Sequence, residues 1–291
     1  MALGPRKCWP GTTRLATAAV RSSSHSPSCC RFRIAPLPFV NGSTIVISGP
    51  QGSGGGTNHS LTLGGIIPLP NASQETFTAS PTSAVASTLA VDGLTFRLSS
   101  AIGAVNDTIP LEGGGVLPVN ASSSQNVSLT SHVSTNTQTL SGLGGGSSFT
   151  YANKNFLRLN ESAPGATINV SAPFATRLQE GISVNVSGHG DDVVVAAAGV
   201  VTAVSTTGSD SEVFVQSNTA QVNVSGDSPT SPTTTVVIGK SLGNTTDVTS
   251  GIQANVLVLG VKTSLVENLA SSGRVGRPVP RPEVGQSASP A

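Results

Sequence analysis

Ile182-Ser183-Val184-Asn185-Val186-Ser187 alternates an apolar with a polar side chain, position by position. Successive side chains of a strand point to opposite faces, so this pattern buries Ile182, Val184 and Val186 and turns Ser183, Asn185 and Ser187 towards water. The motif recurs. Ile168-Asn169-Val170 and Val222-Asn223-Val224 each set an asparagine between two β-branched residues. Asparagine is generally depleted in strands, so its return on the outward phase is informative. Working outward, strands are expected at Asn155–Leu159, Thr167–Val170, Ile182–Val186, Asp192–Val204, Glu212–Gln216, Gln221–Val224, Thr234–Ile238 and Ala254–Val261. Short strands separated by Gly, Pro and Ser predict a mostly β fold, with short antiparallel strands in a β-sandwich or barrel, or else a β-solenoid, between disordered termini.

Composition agrees with that class. Valine outnumbers leucine, Ser and Thr are abundant, and 33 Gly with 19 Pro interrupt the chain too often for long helices. No stretch sustains a helical i, i+3, i+4, i+7 pattern, and no apolar run reaches the roughly 18 residues of a membrane span. Aromatic residues make up only 3% of the chain, so the core must be built from Val, Leu and Ile. A net charge of +1 supplies no field for nucleic acid, and the aromatic platforms that single strands need are missing too. The partners stay open, with self-association or cell-wall or virion components among the options, and no nucleic acid and no membrane span are expected.

The chain divides by composition into four parts. Residues 1–39 form an Arg/Ser-rich leader with Arg6, Lys7, Arg14, Arg21, Arg31 and Arg33, and no acid appears before Glu75. That is the composition of an organellar transit peptide, and equally of a disordered arm or a wrongly extended start; it is a poor secretory signal. All three cysteines (Cys8, Cys29 and Cys30) fall in this leader, so no disulfide framework holds the body together. Residues 40–146 are a Gly/Ser/Thr-rich β region with an internal echo. Val40-Asn41-Gly42-Ser43-Thr44-Ile45-Val46-Ile47-Ser48 matches Val91-Asp92-Gly93-Leu94-Thr95-Phe96-Arg97-Leu98-Ser99, an offset of 51 residues. Ile67-Pro68-Leu69-Pro70-Asn71-Ala72-Ser73 matches Val116-Leu117-Pro118-Val119-Asn120-Ala121-Ser122, an offset of 49. Two copies of a unit of about 50 residues are one reading, and chance similarity in a biased composition is the other. Each unit reads as an Asn-Gly or Asp-Gly turn, a strand, a Gly-rich loop and a second strand. Gly144-Gly145-Gly146 marks the boundary to a β domain at 147–265, and residues 266–291 form a Pro/Arg-rich tail expected to be disordered.

Asn-x-Ser/Thr sequons stand at Asn41, Asn58, Asn71, Asn106, Asn120, Asn126, Asn160, Asn169, Asn185, Asn223 and Asn244. Eleven of the 17 asparagines qualify, where the Ser/Thr content alone predicts roughly four or five. One reading is a glycan-coated sheet made in the secretory pathway. The other is a polar Asn/Ser/Thr face in a solenoid or viral fibre that never meets a glycosyltransferase.

Residues that could carry chemistry do not converge in the sequence. His25, His59, His132 and His189 lie at no metal-ligand spacing. The densest polar cluster, His189-Gly190-Asp191-Asp192, is read as a loop entering the Val193-Val194-Val195 strand rather than as a site. No Gly-x-Ser-x-Gly elbow appears, and Gly54–Gly56, Gly113–Gly115 and Gly144–Gly146 lack a following Gly-Lys-Ser/Thr. The expectation is a non-enzyme, with no catalytic, metal or cofactor-binding residues and no cofactor.

The Val-Asn/Asp-Gly-x-Thr-apolar units, their Gly-rich loops and the sequons resemble low-complexity extracellular and cell-wall proteins of filamentous fungi, over about residues 40–140. Val236-Val237-Ile238-Gly239-Lys240-Ser241-Leu242, followed by Ala254–Leu259, is similar to the end of small β-barrel phage capsid-decoration proteins. Neither resemblance transfers a functional residue. The function expected is a secreted or surface-exposed structural glycoprotein. The alternatives are a virion structural or capsid-decoration protein and an organelle-imported protein.

Overall fold

The computed structural model describes residues 31–32, 44–47, 59–63, 72–80, 87–99, 102–112, 115–121, 126–144, 147–172, 181–226, 234–239, 251–259 and 265–267. The three cysteines, most of the leader and most of the tail lie outside the described residues.

Numbered along the chain, the first eleven strands are β1 (Arg31–Phe32), β2 (Thr44–Ile47), β3 (His59–Leu63), β4 (Glu75–Thr78), β5 (Ser87–Val91), β6 (Leu94–Leu98), β7 (Ile102–Asp107), β8 (Val116–Ala121), β9 (Asn126–His132), β10 (Thr137–Ser141) and β11 (Ser148–Tyr151). They continue as β12 (Phe156–Glu161), β13 (Thr167–Ala172), β14 (Gly181–Val186), β15 (Asp192–Ala198), β16 (Thr202–Thr206), β17 (Glu212–Val215), β18 (Val222–Gly226), β19 (Thr235–Ile238), β20 (Val256–Leu259) and β21 (Leu265–Glu267). No α-helix occurs among the described residues. The protein is mostly β, as the alternation predicted.

The strands form two large mixed sheets. One has 11 strands in the order β1-β3-β7-β11-β10-β9-β13-β15-β17-β19-β21. The other has ten, in the order β2-β6-β5-β4-β8-β12-β14-β16-β18-β20. From β12 onward, successive strands alternate between the sheets, and each pairs in parallel with the next but one. Among the described residues antiparallel pairing is confined to β4–β5–β6 and β9–β10–β11, where the chain folds back on itself within one sheet. Short antiparallel strands in a sandwich or barrel were one expectation, and among the described residues antiparallel pairs are the minority. The reason is physical: period-2 alternation fixes which face is buried and says nothing about strand direction. A parallel neighbour needs a crossover, and between β14 and β18 the crossover is a strand of the opposite sheet with a short corner on either side.

Ile182 pairs with Thr202 and Thr202 with Val222, a step of 20 residues each time. Asp192 pairs with Glu212 at the same step. The expected single strand Asp192–Val204 is therefore two strands, β15 and β16, broken at the corner residues Gly199, Val200 and Val201. In the first half, Thr44 pairs with Thr95 and Ile45 with Phe96, the 51-residue offset of the first sequence echo. The second echo behaves differently. Residues 67–71 lie outside the described residues, Ala72 bridges to Leu111, and Val119 pairs with Phe77. Ladders also cross the Gly-rich stretch at 144–146: β10 and β11, on either side of it, pair with each other.

Inward residues of both sheets form one core, including Leu117, Val119, Leu157, Leu159, Val184, Val204, Val222 and Val224 from one side and Val127, Leu129, Ile168, Val170, Val193, Val195, Val213 and Val215 from the other. Phe77 on β4 stacks on Phe149 on β11 with ring centroids 4.5 Å apart, which joins the two sheets face to face. Tyr151 extends the stack at 5.7 Å. Between β5 and β6, Asp92 and Gly93 both have positive φ (45° and 79°), the type I′ geometry that an Asp-Gly pair favours.

Candidate functional site

On the outer face of the ten-stranded sheet, the parallel register lines up Asn120, Asn160 and Asn185. Nδ2 of Asn160 donates to Oδ1 of Asn120 at 2.8 Å, and Nδ2 of Asn185 donates to Oδ1 of Asn160 at 2.8 Å. Asn120 in turn donates to Thr78 Oγ1 at 3.4 Å, and Ser183 donates to Asn185 Oδ1 at 3.2 Å. Three sequon asparagines thus form a continuous amide ladder with half-buried side chains. Such a ladder needs identical polar residues in register on adjacent parallel strands, which only the pairing supplies. The row continues as Ser205 and Ser225.

The other sequons sit differently. Asn126 and Asn169 are exposed on the eleven-stranded sheet, Asn169 between buried Ile168 and Val170. Asn223 is half-buried on β18 and accepts from Gln221 Nε2 at 2.6 Å. Asn106 is half-buried in a row that runs Thr62, Asn106, Thr150, Thr139 and Thr130 across the sheet, with the Thr139 and Thr150 hydroxyls 2.9 Å apart. Asn41, Asn58, Asn71 and Asn244 lie outside the described residues.

The His189-Gly190-Asp191-Asp192 cluster lies at a corner. His189 is exposed, with Nδ1 2.6 Å from Ser209 Oγ on the next corner and 3.5 Å from Asp210. Asp191 points inward instead and accepts from the Ala166 N–H at 2.8 Å. Burial pushes the Asp191 carboxyl above its usual range, against the pull of the Ala166 and Gly165 backbone N–H groups. The cluster's side chains diverge rather than converge. Among the described residues no group of three His, Cys, Asp or Glu side chains is placed to hold a metal ion.

The densest chemistry in the fold lies elsewhere, at Glu75, Asp107 and Lys154, whose side chains are wholly shielded from solvent. Lys154, in the turn between β11 and β12, contacts Glu75 Oε2, lies 2.8 Å from Asp107 Oδ2 and donates to the Ile109 carbonyl at 2.5 Å. Asp107 Oδ1 accepts from the Ile109 N–H at 2.9 Å. The backbone pins the lysine turn against β7: Ala152 N–H donates to the Asp107 carbonyl at 2.9 Å. Tyr151 is the register partner of Asp107, and its hydroxyl donates to Gln138 Oε1 at 2.5 Å. Burial pushes Glu75 up to about 9, helped by its hydrogen bond to Asp107 and by that neighbour's negative charge, and opposed by Lys154. Burial thus favours the protonated form of the Glu75 carboxyl where it meets Lys154 and Asp107.

None of these three residues is among the expected site residues, although the sequence carries a signal for them. Glu75 is in phase with Phe77, and Asp107 is in phase with Val105 and Ile109. The alternation that buries those apolar residues also carries the two acids inward. The 20-residue step was legible too: Ser187-Gly188-His189-Gly190-Asp191-Asp192-Val193-Val194-Val195 is echoed by Thr207-Gly208-Ser209-Asp210-Ser211-Glu212-Val213-Phe214-Val215.

No family model, no curated protein and no solved structure matches the chain.

Proposed function

We propose that this protein is a non-enzymatic, surface-exposed structural element, a two-sheet β-solenoid that serves as a stiff spacer or coat component. The observation that carries the reading is the alternation of β12 to β21 between two sheets, with parallel pairing at each step. Such winding makes a quasi-one-dimensional body in which each coil touches only its neighbours and length grows by adding coils. The 51-residue echo that falls in register between β2 and β6 supports growth by duplication.

Glycosylation belongs to the same reading, and the ladder divides the sequons. Adjacent strands lie about 4.8 Å apart, which is too close for sugars on successive rungs at Asn120, Asn160 and Asn185. Asn126 and Asn169 stand free on the eleven-stranded sheet and are the favoured acceptors. Expression in a eukaryotic secretory host, with and without PNGase F, tests this. A mobility shift that disappears in the Asn126→Gln/Asn169→Gln variant is expected, and unchanged mobility of the unmutated chain would sink the glycoprotein reading.

The amide ladder favours one second reading, a virion structural protein whose Asn/Ser/Thr face holds the sheet together and carries no sugar. Regular self-assembly of unglycosylated protein under the electron microscope would favour it over the first.

A further inference from the structure

We propose that Lys154 and Asp107 become joined by an intramolecular amide bond, an isopeptide cross-link, with Glu75 as the acid–base group that moves the protons. The inference stands on the three buried side chains and is independent of whether the protein is secreted or glycosylated.

The geometry supplies what an uncatalysed amine–carboxyl condensation lacks. Lys154 Nζ lies 2.8 Å from Asp107 Oδ2, so the carboxyl carbon is one C–O bond further on. Holding nucleophile and electrophile in contact replaces a bimolecular encounter by a positioned one. The Asp107 carboxyl is fixed by the Ile109 N–H on its other oxygen, and the amine is aimed by the Ile109 carbonyl. All three side chains are shut off from solvent, beside the Phe77–Phe149–Tyr151 stack. Excluding water favours the condensed product over the salt pair, since two solvated ions are lost and a neutral amide takes their place.

Glu75 touches the lysine amine and hydrogen-bonds Asp107, so it bridges both reactants. Its carboxyl holds a proton at neutral pH, as a proton shuttle must. In the first step Glu75 gives that proton to Asp107 and takes one from the Lys154 ammonium, leaving a neutral amine facing a neutral carboxylic acid. The Nζ lone pair then attacks the Asp107 carboxyl carbon and forms the C–N bond. Glu75 carries a proton from that nitrogen to one oxygen, the C–O bond breaks, and water leaves. The net change is one ammonium and one carboxylate converted to one amide and one water, with Glu75 restored and no oxidant or cofactor required. The product would tie β7 to the turn before β12, closing the chain between residues 107 and 154 across the point where β9, β10 and β11 fold back.

Intact mass of the full chain, expressed in bacteria and measured after denaturation, tests the proposal. The expected result is a mass below the sequence mass by one water, with a proteolytic fragment that links Lys154 to Asp107. A mass equal to the sequence mass, after prolonged incubation of the folded protein, would overturn it. So would a water loss mapping to a succinimide at Asp92-Gly93, or a cross-link to Glu75 instead of Asp107. Lys154→Arg retains the charge and cannot form the bond, so its full mass is expected. Glu75→Gln keeps the shape without the shuttle and should retain the full mass while folded; persistent water loss there would remove Glu75 from its role. If either variant does not fold, the mass and linkage map of the unmutated chain decide alone.

Discussion

Asn160 donates to one neighbour and accepts from the other, so it is the middle rung of the amide ladder. Asn160→Ala removes both bonds from a half-buried row and should cost about 1 kcal/mol in urea unfolding. Asn169→Ala, on an exposed position, should stay within about 0.5 kcal/mol of the unmutated protein. Equal effects at the two sites would count against a structural ladder. Glu75 offers a test in pH. Its carboxyl is raised from 4.5 to about 9, so the folded chain keeps a proton that the unfolded chain releases above 4.5. The unfolded state binds fewer protons across that window, and stability falls as pH rises through it, by up to about 1.4 kcal/mol per pH unit. Below the unfolded value the loss is absent. Denaturation midpoints measured from pH 4.5 to about 9 should fall steadily, and Glu75→Gln should flatten the curve. Sequence alternation already placed Glu75 and Asp107 on the inward phase. It could not show that Lys154, 79 residues from Glu75, would come to rest between them.

The corners set the pitch at the scale of elements. Gly208 lies over the carbonyl of Gly188 on the preceding corner, and a Cβ there would run into that backbone. Gly208→Ala should therefore cost about 2 kcal/mol or more, because main chain cannot swing aside as a side chain can. Gly190 is the complementary case: nothing lies near its missing Cβ, but its φ of +69° strains any other residue. Gly190→Ala should cost about 1 kcal/mol from backbone strain alone. Thermal melts of the two variants separate close approach from conformation. Buried acids also close corners. Glu161 Oε1 accepts from the N–H groups of Ser162 and Ala163 at 2.9 and 2.8 Å, satisfying donors that leave the ladder where the strand ends. Strands such as β13, β14 and β18 were legible because apolar and polar residues alternate along them. The break between β15 and β16 was not, because Ala196-Ala197-Ala198-Gly199-Val200-Val201 gives no polar beat to mark the turn.

If the proposed solenoid holds, the two 20-residue steps through β14, β16 and β18 are interchangeable, and loss of one whole step is tolerated where loss of half of one is not. Deleting residues 192–211 joins Asp191 to Glu212, the register partner of Asp192, and brings β17 against β13 and β18 against β14. That variant should fold cooperatively, with a β-type circular dichroism signal per residue close to that of the full chain. Deleting only 192–201 joins Asp191 to Thr202 and puts a strand of one sheet in the place of the other. It should aggregate or melt far lower, and equal behaviour of the two deletions would argue against coil equivalence. By itself, the sequence determined that the chain is β, which side chains face inward, and that the outward face is rich in asparagine, serine and threonine. These follow from local rules, since alternation, composition and turn residues act within a few positions. Tertiary structure alone decided that most strands run parallel, that asparagines 120, 160 and 185 share one ladder, and that Glu75, Asp107 and Lys154 meet. Each of those depends on which strand lies beside which. The pattern within a single strand leaves that open, and it is settled only when the two sheets stack and bury a common core.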